Sequence, residues 1–357
     1  MKKLILATTA LTTLAGGALA GGLERTPQSM AILFEEGRFA ELSFGIVSPD
    51  VSGTLGAPSG DMLATYTNLG LAYKADLNEQ LSYAIIFDQP YGADTDYPTG
   101  TGNPFAGSTA KVRSNAISGV LQYNFGSGAS VYGGLRAQSL QAEAAILPAT
   151  ADYTVESDTN YQLGYLVGAA YERPDIALRV SLTYHSEVTH ELQLDENWVG
   201  GADNQSQDVI MPQALNLEFQ SGIAEDTLVF GSVRWVEWSE TVVNPPEYQN
   251  LPGVTRPLVF FEDDRITYTL GLGRRLNETW SVLGSVSYEE NTGSVTGNLG
   301  PTDGFTSVSL GAIYRKDNMK ITGGIRYADI GDATSFSGAT FTDNSAIAAG
   351  VRVGWSF

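Results

Sequence analysis

The histidines of this chain, His185 and His190, stand in one run, His185-Ser186-Glu187-Val188-Thr189-His190-Glu191, where imidazole, carboxylate and hydroxyl groups come close in sequence. Such a run invites metal ligation, or activation of a serine by a histidine base. On an extended strand side chains alternate, so His185 and Glu187 share one face while His190 points to the other. A common metal site would need a bulge. Ser186 projects away from His185, so the adjacent hydroxyl is no partner for a base. The chain has no cysteine, which removes thiolate ligands and disulfides. Acidic clusters at Asp94/Asp96, Asp195/Glu196, Glu262-Asp263-Asp264 and Glu289-Glu290 read as solvated connection charge or as divalent-cation contacts. The sequence therefore predicts no catalytic residue, no metal and no cofactor, and no enzyme.

A group of arginines is more suggestive, but their meaning depends on the elements that carry them. From Phe39 to Phe357 the chain reads as runs of alternating apolar and polar residues. In the last run Ile347, Ala349, Val351, Val353, Trp355 and Phe357 fall on one parity, and Ala348, Gly350, Arg352, Gly354 and Ser356 on the other. About fourteen strands follow from this rhythm, among them Phe39–Val47, Leu81–Asp88, Ala129–Ala142, Asp175–Glu187, Ile210–Ile223, Leu228–Trp238 and Arg265–Arg275. Short turns at Asp76–Gln80, Gly126–Gly128, Glu172–Pro174, Ala224–Thr227, Leu276–Thr279 and Lys316–Asn318 alternate with connections of about thirteen to twenty-six residues, the longest Ser239–Asp264. That is the pattern of an all-β, transmembrane antiparallel β-barrel with both termini on the short-turn side. Closure leaves no backbone edge unpaired in lipid. Tyr171, Tyr184, Tyr288, Tyr314, Tyr327, Trp235 and Trp355 lie near strand ends on the apolar parity, where an interfacial girdle belongs.

Parity then turns Arg136, Arg179, Arg234, Arg326 and Arg352 into the barrel. At ~3.3 Å per residue and a tilt of ~40°, they fall within one zone of the lower lumen. Glu218 is the main acid on the same parity, so that zone is expected to be locally positive. Two readings stay open: the arginines meet a ligand carboxylate, or they pair with Glu218 and plug backbone and pack the interior.

Upstream, Lys2 and Lys3, the apolar stretch Leu4 to Leu14 and the small residues Ala18-Leu19-Ala20 make residues 1–20 a secretory signal peptide, with the mature chain starting near Gly21. The formal net charge is −20 and becomes more negative without Lys2 and Lys3, which speaks against nucleic-acid binding.

Several segments carry a resemblance. They are Ser48-Pro49-Asp50-Val51-Ser52-Gly53, Met211-Pro212-Gln213-Ala214-Leu215, Glu237-Trp238-Ser239, Tyr268-Thr269-Leu270-Gly271 and Ser307-Val308-Ser309-Leu310-Gly311-Ala312-Ile313-Tyr314. With these the chain resembles the outer-membrane long-chain fatty-acid transporter family (FadL/TodX type). The resemblance implies a monomeric fourteen-stranded barrel over residues 39–357 in the bacterial outer membrane, plugged by a short N-terminal hatch over residues 21–38. It implies passive uptake of hydrophobic molecules, released sideways through an inward kink of the third strand. Here Asp88-Gln89-Pro90-Tyr91-Gly92 is the expected kink, because proline cannot donate to a ladder and glycine weakens one. The family's Asn-Pro-Ala hatch motif appears as Thr26-Pro27-Gln28, so the hatch is shortened. Trp198, Val199 and the stretch Ala144 to Pro148, with Ile146 and Leu147, are the apolar candidates for first capture. Phe357 resembles the C-terminal signal read by barrel-assembly machinery, and the surroundings implied are outer-membrane lipid and lipopolysaccharide. Long-chain fatty acids come first as ligands; aromatic hydrocarbons, or a general water-filled diffusion porin, are the alternatives.

Overall fold

The computed structural model describes residues 22–147 and 152–357. The predicted signal peptide, the expected start at Gly21 and Pro148 lie outside the described residues. Fourteen antiparallel strands close into a barrel. They are β1 (Phe39–Asp50), β2 (Tyr66–Asp76), β3 (Leu81–Asp88, resuming at Gly92–Asp96), β4 (Thr109–Asn124), β5 (Ala129–Ile146), β6 (Asn160–Arg173) and β7 (Leu178–His185). The second half supplies β8 (Ala214–Ala224), β9 (Thr227–Val236), β10 (Arg265–Arg275), β11 (Trp280–Glu289), β12 (Phe305–Lys316), β13 (Met319–Ile330) and β14 (Asn344–Ser356). First and last strands pair from Phe39↔Ser356 to Asp50↔Ser345, so no edge is left open. In two of the short turns Asp226 and Asp317 take left-handed backbone, with φ of 57° and 53°, a conformation aspartate tolerates better than most residues.

The wall turns its large apolar residues outward. Leu135, Leu163, Leu270 and Ile325 are exposed, while Arg136, Ser181, Thr183 and Asn216 are buried inside. A continuous exposed apolar belt is unfavourable in water and favourable in hydrocarbon. Among the described residues no helix is long and apolar enough to cross a membrane; strands make this belt.

The long connections hold more order than the sequence suggests. Val188–Trp198 and Gly201–Met211 form a hairpin that prolongs β7 and β8 outward, and Tyr153–Ser157 pairs beside it. In this hairpin Val188, Leu192, Leu194, Val209 and Met211 are buried, and Thr189, Glu191, Gln193 and Asp195 are exposed. The wall and the hairpin are joined by two residues on each strand that do not pair with one another, between His185↔Ala214 and Val188↔Met211. That matched interruption shifts the parity by one. The expectation that His190 points away from His185 is therefore corrected: both are buried, 0% exposed for His190 and 3% for His185. Short strands at Gly53–Leu55, Ala57–Pro58, Val295–Thr296, Ala333–Ser335 and Thr340–Phe341 form a second small sheet from the remaining outer connections.

Residues 22–35 run through the interior, and Glu36, Gly37 and Arg38 are exposed. Met30, Ile32 and Leu33 pack with Phe39, Ala84, Val120, Tyr132 and Leu166 of the inner wall. Glu35 is held from two sides: Lys74 Nζ donates to its carbonyl at 2.8 Å and Lys320 Nζ to its carboxylate at 2.7 Å.

Candidate functional site

At the third strand the wall loses its ladder on both sides. On the β4 side pairing runs from Leu81↔Tyr123 to Asp88↔Ala116 and resumes at Gly92↔Arg113. Gln89, Pro90 and Tyr91 thus oppose only Ser114 and Asn115. On the other side the β2–β3 ladder ends at Leu71↔Phe87. Beyond it the two strands next meet at the isolated Leu63↔Thr95 bridge. Pro90 has no N–H to give a neighbour, so an interruption at this point leaves fewer donors stranded.

The backbone groups freed by the break are taken up from inside. Arg25 N–H donates to the Pro90 carbonyl at 2.7 Å, and Gly92 N–H donates to the Leu23 carbonyl at 2.8 Å. From the outside, Leu69 N–H donates to the Gln89 side-chain oxygen at 2.9 Å, and the Gln89 amide donates to Asn115 Oδ1 at 3.2 Å. A glutamine side chain therefore stands in for missing ladder bonds.

The residues expected in the hatch and in the kink are brought together here. Thr26 Oγ1 donates to Asp88 Oδ2 at 3.1 Å, Gln28 Nε2 donates to the Tyr91 hydroxyl at 3.2 Å, and Asn216 Nδ2 donates to the Pro27 carbonyl at 2.8 Å. Ser29 Oγ donates to Glu218 at 2.7 Å, which places Glu218 inside as its parity predicts.

The expected arginines also meet this zone, but not as bare positive charge. Arg136 bonds Gln28 and lies 3.5 Å from Asp88, Arg234 Nε donates to Glu24 at 2.8 Å, and Arg352 Nε lies 3.1 Å from Glu41. Arg179 lies over the Phe34 ring at 4.6 Å, and Arg326 donates to Ser307 Oγ at 2.9 Å beneath Phe305. The expectation of a locally positive lumen is corrected, because carboxylates from the N-terminal segment, β1 and the break neutralise most of these guanidinium groups. Glu41 and Asp88 lie on the inward parities of β1 and β3 and were legible; Glu24 lies outside any regular strand.

Three cavities lead to the break. The outermost, of about 50 Å³, is walled by Leu23, Leu140, Leu194, Met211 and Val243 among others. A second, of about 100 Å³, adds Leu63, Tyr66, Phe260 and Phe261. The two share Leu23, Ala110, Val112, Leu258, Val259 and Leu299. The third, of about 110 Å³, shares Arg25 with the second and is lined inside by Gln28, Asp88, Arg136 and Arg352. It also reaches Phe44, Leu69, Leu71 and Phe87, which belong to the outward parity of the wall. Toward the short turns the character changes: a cavity of about 250 Å³ there is lined by Glu35, Glu36, Lys74, Asp76, Glu79 and other polar groups, capped by Leu33 and Phe34.

Other predicted residues lie apart. Ile146 is buried in the outer apolar cluster, against which Trp198 packs while its indole N–H donates to Glu247 at 3.0 Å. Leu147 is 38% exposed, and none of these three residues lines the three cavities. His190 is held between Asn160 Oδ1 at 3.1 Å and Gln138 Nε2 at 3.2 Å, which fits a neutral imidazole donating from Nδ1. Burial lowers its pKa to about 4. Trp238, read from sequence as the end of a strand, is instead 2% exposed and packs edge-on against Tyr91 at 5.7 Å.

No family model matches the sequence, and no curated protein does. Solved structures do match. A FadL homologue of Pseudomonas aeruginosa is 15% identical, with 98% of this chain and 99% of that one aligned at a TM-score of 0.79. The toluene transporter TodX of Pseudomonas putida is 14% identical, with 98% and 100% covered and a TM-score of 0.67. The toluene transporter TbuX of Ralstonia pickettii is 16% identical, with 96% and 97% covered and a TM-score of 0.65. Interrupted third strand, interior N-terminal segment and full-length alignment converge: the chain has the FadL-type β-barrel fold.

Proposed function

We propose that this chain is a monomeric outer-membrane barrel through which hydrophobic molecules enter passively and leave sideways into the bilayer. The observation that carries the reading is the row of cavities, apolar on the outer side and turning at Arg25 toward a gap in the wall between β2 and β3. A CH₂ group gains ~0.8 kcal/mol on leaving water, so apolar walls suffice for capture. An exit into water would forfeit that gain, whereas an exit into hydrocarbon keeps it. The polar cavity at the short-turn end is a poor continuation for the same reason.

On this reading Thr26, Pro27 and Gln28 belong to a hatch, and Asp88 to Gly92 form the lateral exit. Arg136 and Arg352 line the exit cavity as candidates to meet a ligand head group, and Trp198, Ile146 and Leu147 serve the outer surface of first capture. Phe357, 75% exposed at the chain end, stays available as an assembly signal. Long-chain fatty acids are the first ligands proposed. Uncharged aromatic hydrocarbons are the second, favoured by one observation: Arg136, Arg234 and Arg352 already have carboxylate partners.

The test restores the ladder. Shortening Gln89-Pro90-Tyr91 to Val-Thr matches Ser114 and Asn115 residue for residue. Uptake of labelled oleate and of toluene should then fall to the level of cells lacking the protein, with heat-modifiable gel mobility of the barrel unchanged. Undiminished uptake by the repaired barrel would refute lateral release. Large ion conductance of the native protein in planar bilayers would instead support a water-filled porin.

A further inference from the structure

Arg25 is the one residue that lines both the second and the third cavity. Its guanidinium donates to Asp94 Oδ2 at 2.5 Å, and Asp94 is held in turn by Arg113. Its Cζ lies 3.9 Å above the ring of Tyr66, itself a wall of the second cavity. The strand leaves room for this arrangement only because position 92 is glycine. A Cβ there would stand 2.4 Å from Arg25 Nε and 2.7 Å from its Cζ.

The backbone around Arg25 is pinned. Its N–H bonds the Pro90 carbonyl at 2.7 Å and its carbonyl accepts from Asn68 Nδ2 at 3.0 Å. Leu23 on one side, and Thr26 and Pro27 on the other, are bonded to the barrel as well. The side chain, by contrast, is fastened at its tip, to Asp94 and Tyr66. Among the described residues Nε has no hydrogen-bond partner although it is buried. An arginine with a fixed root and its hold only at the tip can swing without moving its segment.

We propose that Arg25 is the internal partition of the passage, that the Asp94 carboxylate latches it, and that opening this one contact limits transfer between the two cavities. The inference rests on the lateral-release reading for the direction of traffic, but the partition is a separate claim. It makes Arg25 a positioning residue whose side chain, rather than the whole N-terminal segment, moves during transfer.

Two unrelated ways of releasing the latch should agree. Asp94→Asn removes the charge that holds the guanidinium, and Gly92→Ala puts a methyl group where Nε and Cζ now lie. Each should raise the maximal uptake rate of labelled oleate or toluene, per folded barrel, with little change in half-saturating concentration. The expected rise is roughly ten- to a hundred-fold, the rate equivalent of one charge-assisted hydrogen bond. Arg25→Ala should reach the same rate, adding Asp94→Asn to it should add nothing, and Arg25→Lys should stay near the native rate. Uptake that is unchanged, or that falls in proportion to folded protein in all three variants, would overturn the proposal. The same variants placed in the barrel with the repaired third strand separate the two claims. If uptake persists there and still rises on Arg25→Ala, lateral release is wrong and the partition stands.

Discussion

The lower wall and the outer hairpin obey one alternation with opposite signs. In β7, Val180, Leu182 and Tyr184 face outward while Ser181, Thr183 and His185 are buried. Three residues further on, Val188, Leu192 and Leu194 are buried, and Glu191, Gln193 and Asp195 are exposed. The apolar residues never leave the even positions. The chain reverses their direction with its step at Ser186-Glu187, matched by Pro212-Gln213 on the return strand and repeated at Asp158-Thr159 between Ser157 and Asn160. β5 makes the same reversal without a step, by exchanging residue types: Leu135 outward beside buried Arg136 below, Glu143 outward beside buried Ala144 above. The difference marks where hydrocarbon gives way to water, since apolar groups follow whichever side is dry.

Truncation should separate the regions most sharply. Leu192→Ala, at a position 1% exposed within the outer cluster, opens a cavity and should cost about 2–5 kcal/mol locally. Hydrogen exchange over residues 188–211 should report it. Leu182→Ala, 45% exposed on the wall, should cost far less in lipid vesicles, because acyl chains close over the missing methyl groups. Equal losses would erase the distinction. A charge inverts the ranking: Leu270→Arg, 59% exposed, should destabilise the vesicle-embedded barrel by about 2–4 kcal/mol if it lies near the bilayer midplane. Gln193→Arg on the exposed side of the hairpin should stay within about 0.5 kcal/mol in the same urea titration.

Mild acid gives a small effect and belongs to the hairpin. His190 is held neutral with a pKa of about 4 against an ordinary 6.5. Below pH 6.5 the unfolded hairpin therefore binds protons that the folded one refuses, and stability drops as pH falls toward 4. At pH 6 the loss should be under about 1 kcal/mol, read as faster exchange over residues 188–211 and absent in His190→Gln. Exchange that slows on acidification would contradict this account of the buried imidazole.

The barrel was legible because a period of two needs no tertiary knowledge; the break at Pro90 was expected from the family resemblance, with proline's missing donor as its local support. The outer hairpin was less so. Its steps at Ser186-Glu187 and Pro212-Gln213 look like strand ends when a membrane is assumed to run on. The partners of the arginines were hidden for another reason: Glu24 meets Arg234 across 210 positions of chain, and no rhythm connects them. Asp94 was read as solvated charge beside Asp96, yet its side chain is 11% exposed between Arg25 and Arg113. Arg25 itself sits in a segment without periodicity, where only the packing against Gly92 reveals its place.

On the proposed route, the carboxylates beside Arg25, Arg136, Arg234 and Arg352 also decide what is ignored. A lining balanced cation by anion presents little long-range field, so a small salt ion finds nothing there to replace its hydration shell. Brackish and dilute surroundings should thus look alike to a neutral guest on its way through.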